Sequence, residues 1–315
     1  MDAADLELFE RSLRAATERH TGAELDAALA ELGWVDALTE DPRAAVSLLF
    51  GLQGAATATS SALEHVVSAV LGLDTSGLVL PAPDSTAPPG TLDGERLTVS
   101  GLGTAALATR KRLAVVASSG GGDVAVTVPV DALDVRAIRG VDHWMGLVEV
   151  RGIVAIDAAP ETVTTWADAV ARAQVAVGHE LVGAARTMLA QARGHALDRE
   201  QFGQPLAMFQ AVRHRLADTL IALETADAVL DAAWLDGTPA TAAMAKALAG
   251  RGARTATRHC QQVLAGIGFT TEHPLHRSIR RTLVLDELFG SARTLTRGLG
   301  EQLLATRELP PLLPL

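Results

Sequence analysis

The sequence predicts a mainly helical protein with a small β unit in its middle. Three observations carry that expectation. Apolar residues recur at helical spacing before residue 73, short alternating runs broken by glycines follow a proline-rich loop, and long amphipathic stretches fill the chain after Pro160. With 315 residues, 48% hydrophobic and 20% charged, the chain can bury a large core and hold two or three units.

A helical unit is expected over residues 1–75. Leu6, Phe9 and Leu13, then Leu25, Leu29 and Leu32, lie three or four residues apart or close to it. Gly33 stops one helix, and the "EDP" ending at Pro42 starts the next, since proline suits a first turn. One long Ala-rich helix should then run through Leu63, Val67 and Val70.

The loop "PAPDSTAPPG", Pro81 to Gly90, marks a change of composition. Beyond it "ERLTVSG", "RLAVVAS", "VAVTVPV" and "GLVEVRGIVAI" alternate at period two, with "SSGGGD" as a turn. They predict a small antiparallel β domain over residues 76–158.

Residues 159–315 read as a four-helix bundle. The stretch from Glu161 is long enough to cross a domain, and Phe209, Val212, Leu216, Leu220 and Leu223 form a stripe on a second helix. Gly237 is a C-terminal cap, Thr238 an N-cap and Pro239 a first-turn residue. Two more helices lead to the tail "LPPLLPL". Short connections between long helices imply an antiparallel bundle.

Charge and composition exclude several functions. A net charge of −10 leaves no basic surplus for a nucleic-acid partner. The positive charge is nearly all Arg, with Lys only at Lys111 and Lys246. No apolar run reaches the roughly 18 residues of a membrane span, and the acidic "MDAADLELFE" is unlike a signal peptide. With one cysteine, Cys260, and so no internal disulfide, a soluble cytoplasmic protein is expected. His273 and His276 flank Pro274 without a carboxylate or cysteine pattern, so no metal is expected. No Ser/His/Asp or Cys/His set emerges.

Two motifs invite chemistry. In "DREQFGQPLAMFQ" the Arg199 guanidinium offers a planar fork for a pyrophosphate, Phe202 can lie beneath a ring, and Gln210 can reach a base or ribose. Read as structure alone, the same stretch is an inter-helix corner turned by Gly203 and Pro205. In "QVLAGIG", Gln262 to Gly268, the glycines Gly266 and Gly268 permit a tight turn and close approach of a ligand to backbone. No strand precedes them, so this is not the dinucleotide fingerprint, and a helix C-cap is the plainer reading.

Together these pieces resemble the acyl-CoA dehydrogenase family: N-terminal helices, a central β domain and a C-terminal four-helix bundle. Arg199, Phe202, Gly203 and Gln210 fit its R-x-x-F-G pattern. Gln262, Gly266, Gly268, Phe269, Glu272 and Pro274 fit its Q-x-x-x-G-x-G pattern. The specific part is about 161–304; the first unit is short for the family. In such enzymes both motifs reach across a dimer interface to the FAD of a neighbouring chain. The resemblance therefore implies that Arg199, Phe202, Gln210, Gln262 and Gly266 bind cofactor.

The departures are as informative. Counting without gaps from Pro274 puts Phe289 where the family's catalytic Glu stands, and Phe cannot abstract a proton. The alternative base position, on the first bundle helix, falls near Ala173, with Glu180 two turns further on as the remaining candidate. The flavin-stacking segment falls on "TAALAT" and the glycine-serine-aspartate loop on "PAPDSTAPPG".

The resemblance is thus to the shorter, base-lacking subunit of bacterial α2β2 steroid-type acyl-CoA dehydrogenases. It implies a homologous partner chain carrying the base, a shared FAD, an acyl-CoA substrate and an electron-transfer flavoprotein-type acceptor. Two other readings stay open. One is a flavin-free scaffold or acyl-CoA-binding protein; the other is a self-sufficient homomeric enzyme with a relocated base.

Overall fold

The structure, a computed structural model, describes residues 3–73, 77–156 and 159–308. The expected unit boundaries at 75/76 and 158/159 fall at residues outside that description, as does the proline-rich tail.

The chain opens with five helices: α1 (Ala3–Arg19), α2 (Ala23–Glu31), α3 (Trp34–Glu40), α4 (Pro42–Ala56) and α5 (Ala62–Leu71). Asp41 caps α4 by accepting the Ala44 N–H at 3.0 Å, with Pro42 in the first turn. The long helix expected through Val70 is in fact two. Thr57 takes a left-handed φ of 54° and ends α4, and the chain re-enters helix only after Ser61. The break frees the Ala58 carbonyl and Thr59 hydroxyl for partners in the bundle.

The sheet holds β1 (Gly90–Asp93), β2 (Arg96–Gly103), β3 (Arg112–Ser119), β4 (Gly122–Pro129), β5 (Asp134–Ala137), β6 (Val148–Ala155) and β7 (Glu161–Val163). Their order is β5-β6-β2-β1-β3-β4-β7. The pairing is antiparallel as expected except for β1 and β3, which run parallel with Gly90 opposite Ala117. Residues 161–163, expected as helix, pair with β4 instead. Thr162 and Val163 are β-branched and suit that pleated edge. Along β3, Ala114 and Val116 join the helical core, while Leu113, Val115 and Ala117 join a second core on the other face.

The bundle comprises α6 (Trp166–Asp198), α7 (Gln210–Asp236), α8 (Pro239–Leu264), α9 (Leu275–Glu287) and α10 (Ala292–Thr306). A two-residue hairpin, β8 (Glu200–Gln201) with β9 (Gln204–Pro205), interrupts the expected all-helical segment. The Gly237–Thr238–Pro239 punctuation is as read: Gly237 has φ 68°, and Thr238 accepts the Thr241 N–H at 3.2 Å. On α7 the inner face is Thr219, Leu223, Ala226 and Leu230. Leu220, expected within the stripe, is exposed, because the stripe that packs is one position out of step with it. α6 is about 50 Å long at 1.5 Å per residue. It crosses α4 backbone to backbone. A Cβ on Gly54 would lie 2.1 Å from the Glu180 carbonyl, and one on Gly183 would lie 2.1 Å from that of Gly51. Only glycine permits that approach.

A buried carboxyl ties α5 to the sheet. Glu64 accepts the Thr104 N–H at 3.1 Å and the Thr104 hydroxyl at the end of β2. Burial pushes its pKa up to about 6, against the Thr104 bonds and Arg110. A carboxyl raised on folding favours the native state below its unfolded pKa and loses that contribution as pH rises through the folded value. Wild type should therefore lose about 2 kcal/mol relative to Glu64→Gln between pH 4.5 and pH 7, read from urea midpoints of both proteins.

Candidate functional site

The sequence-predicted cofactor residues gather at one end of the bundle. α6 ends, α7 begins and α8 ends there, because the three are consecutive antiparallel neighbours. Arg199 is the C-cap of α6, held by its N–H to the His195 carbonyl and by the Leu206 N–H donated to its own carbonyl. Phe202 sits in the hairpin turn at φ 55° and is 92% exposed, with Phe209 edge-on at 6.2 Å. Gln210 opens α7 and is exposed.

Gln262 lies exposed in the last turn of α8, and Gly266 in the 3-10 turn that follows. Nothing lies within 4 Å of a Cβ built on Gly266, whereas Gly268 is packed against the Gln261 backbone. The two glycines thus differ: packing demands Gly268, and Gly266 faces open space. His273, beyond this turn, has its pKa lowered by burial and by the charges of His195 and His276. That places the second motif beside the last turn of α6. One cation, two amides and an aromatic ring are presented outward.

The interdomain region is the reverse. Phe289 is buried at φ 54°, just past the end of α9, with its carbonyl accepting the Gln174 amide at 3.0 Å. The Lys246 ammonium, wholly buried, donates to the Asp286 carbonyl at 3.0 Å and the Gly290 carbonyl at 3.1 Å. Burial depresses its pKa to about 8 against the pull of Asp286. Asp84, from the loop before β1, accepts the Ser291 N–H and the Thr294 hydroxyl, both at 2.8 Å. The loop before β1 is thereby clamped onto the start of α10.

Glu180 is buried and paired with Arg281, which reaches its carboxylate through both Nε and Nη2. Burial pushes the Glu180 pKa up, and Arg281 opposes it. The same guanidinium donates to the Thr59 hydroxyl and the Ala58 carbonyl. Ala173 is buried in α6, and residues 105–109 of "TAALAT" form a 3-10 turn. Among Phe50, Gln53, Thr104, Glu180, Arg281 and Leu288 the open space is about 30 Å³, which is room for about one water.

Residues 163–304 match the family model for the acyl-CoA dehydrogenase C-terminal domain. The matched stretch, just under half of the chain, is an acyl-CoA dehydrogenase C-terminal domain in sequence. It is 35% identical over 127 residues to the acyl-CoA dehydrogenase IpdE2 of Mycobacterium tuberculosis, a stretch covering 40% of each chain. The match to that relative therefore spans well under half of its length. Among solved structures, a chain of the ChsE4-ChsE5 complex from Mycobacterium tuberculosis superposes with a TM-score of 0.78 at 20% identity, covering 99% of this chain and 100% of that one. A Tcur3481-Tcur3483 steroid ACAD chain gives 0.78 at 22% identity, covering 96% and 99%. These likenesses establish the acyl-CoA dehydrogenase-like fold over nearly the whole chain.

The exposed Arg199 end carries donors of the kind that suit the adenylate and pyrophosphate half of FAD, while the space of about 30 Å³ beside Glu180 and Arg281 is far too small for an isoalloxazine ring. Lys246, Asp84 and the Glu180–Arg281 pair escaped sequence reasoning. A lysine inside the apolar "AAMAKALAG" was the one available signal. Arg281→Met should destabilise the protein by about 3–5 kcal/mol, because Glu180 is left buried and uncompensated. Adding Glu180→Leu should restore much of that loss, as a double-mutant cycle in urea would measure.

Proposed function

We propose that this chain is the non-catalytic subunit of a heteromeric FAD-dependent acyl-CoA dehydrogenase, completing the cofactor site of a homologous partner. The observation that carries this reading is the contrast between an open, cation-bearing bundle end and a filled interdomain site with Phe289 in it. Bound FAD supplies the two-electron acceptor for α,β-desaturation of an acyl-CoA. Within this chain, Arg199 grips the pyrophosphate as a fixed guanidinium fork. Phe202 gives a flat apolar surface, Gln210 and Gln262 reach ribose or adenine edges, and Gly266 lets backbone come close. The α-proton is taken by a base of the partner, since Phe289 offers none.

The steroid ACAD and the ChsE4-ChsE5 complex among the structural neighbours favour a heteromeric assembly and a steroid-derived thioester. An electron-transfer flavoprotein-type acceptor and a cytoplasmic setting complete the proposal. No described helix is long and apolar enough to cross a membrane. Cys260 is buried and free, its pKa pushed up to about 12 by burial. Glu180, held by Arg281, gives no support to a self-sufficient homomer.

Expressed alone, the chain should be colourless or insoluble; co-expressed with its partner it should give a yellow complex with a single FAD per pair of chains. Arg199→Ala should weaken FAD retention about tenfold to a hundredfold, with the complex still assembled on size exclusion. A complex that stays colourless, or FAD content indifferent to Arg199, overturns the assignment.

A further inference from the structure

A cavity of about 620 Å³ opens between the first turns of α6 and α8 and one side of α10. Its volume lies within the range of about 300–1,000 Å³ typical of small-molecule sites. The walls are Trp166, Val170, Pro239, Ala243, Leu295 and Leu299. The Trp166 indole is fixed in place, its N–H donating to the Thr86 carbonyl at 3.0 Å. Most of the polar groups around the space are engaged elsewhere. Asp84 accepts from Ser291 and Thr294, the Gln174 amide donates to the Phe289 carbonyl, and Thr238 caps α8.

Among the described residues no Lys, Arg or His lines the cavity. A phosphate or carboxylate entering it meets no counter-charge and faces the Asp84 carboxylate, so it would be buried at high cost. Gly298 adds a second observation. It stands inside α10, where glycine weakens a helix relative to alanine. A Cβ built there meets nothing within 4 Å, so no crowding within the chain requires glycine at that position. Its missing side chain leaves the cavity open.

We infer that this cavity binds an uncharged, hydrocarbon-rich small molecule. From Val170 to Arg199 runs about 44 Å of α6 at 1.5 Å per residue, so the site lies far from the proposed FAD half-site and does not depend on it.

The test is Nile red fluorescence on the full-length chain. Saturable one-site binding is expected, with displacement by 1-decanol at least about tenfold more effective than by decanoate, the anion of matching length. Gly298→Phe, filling the space from α10, should weaken dye binding at least about tenfold while circular dichroism and melting stay unchanged. Ala243→Leu carries the same test from the opposite wall should the first variant fold poorly. Phe202→Ser, at the other end of the bundle, should leave binding unchanged.

Equal displacement by decanoate, wild-type binding by both wall variants, or loss of binding in Phe202→Ser overturns the inference. So does dye binding that disappears when the partner chain is present, which would make the face a protein contact. FAD retention is read on the complex, so either proposal can fail without the other.

Discussion

The Arg281 guanidinium holds three parts of the molecule together. From α9 it donates to Glu180 on α6, to the Ala58 carbonyl and to the Thr59 hydroxyl, which itself donates to the Trp144 carbonyl beside the sheet. Helical unit, sheet and bundle thus meet at one buried cation. Two charges out of water are costly unless their donors and acceptors are well matched. Arg281 meets that condition by having three kinds of acceptor. The break between α4 and α5 exists in the shape that supplies two of them. The space between the units is occupied by the network that joins them, with room left for about one water.

A second polar knot closes the neighbouring loop. Lys246 takes two backbone carbonyls around residues 286–291 and Gln174 and Asp84 one backbone group each, so Phe289 is held in a left-handed conformation that non-glycine residues seldom adopt. Phe202, also left-handed, is held with its ring outward instead. One unusual backbone geometry serves closure in one place and display in the other. The molecule is closely packed around Phe289 and exposed around Phe202.

Local chemistry made much of this legible. The capping residues Asp41 and Thr238, the Gly237 stop and the period-two runs act over a few residues, and the sequence displays them directly. The R-x-x-F-G and Q-x-x-x-G-x-G spacings did the same for the candidate site. What stayed hidden depends on long-range partners. Glu180 and Arg281 lie 101 residues apart, and Asp84 and Ser291 lie 207 apart. The short strand β7 was masked by the helix that follows it, and the parallel pairing of β1 with β3 has no local signal. The end of α4 at Thr57 runs against an Ala-rich pattern, and the tertiary demand for the Ala58 carbonyl and the Thr59 hydroxyl explains it.

The crossing of α4 and α6 on Gly51, Gly54 and Gly183 has an evolutionary consequence. Two backbones in contact leave no side chain to shave and no gap to widen, so the spacing between those helices has no small steps available to it. Any change in that spacing requires the helices themselves to move, and Glu180 sits on the turn that anchors them.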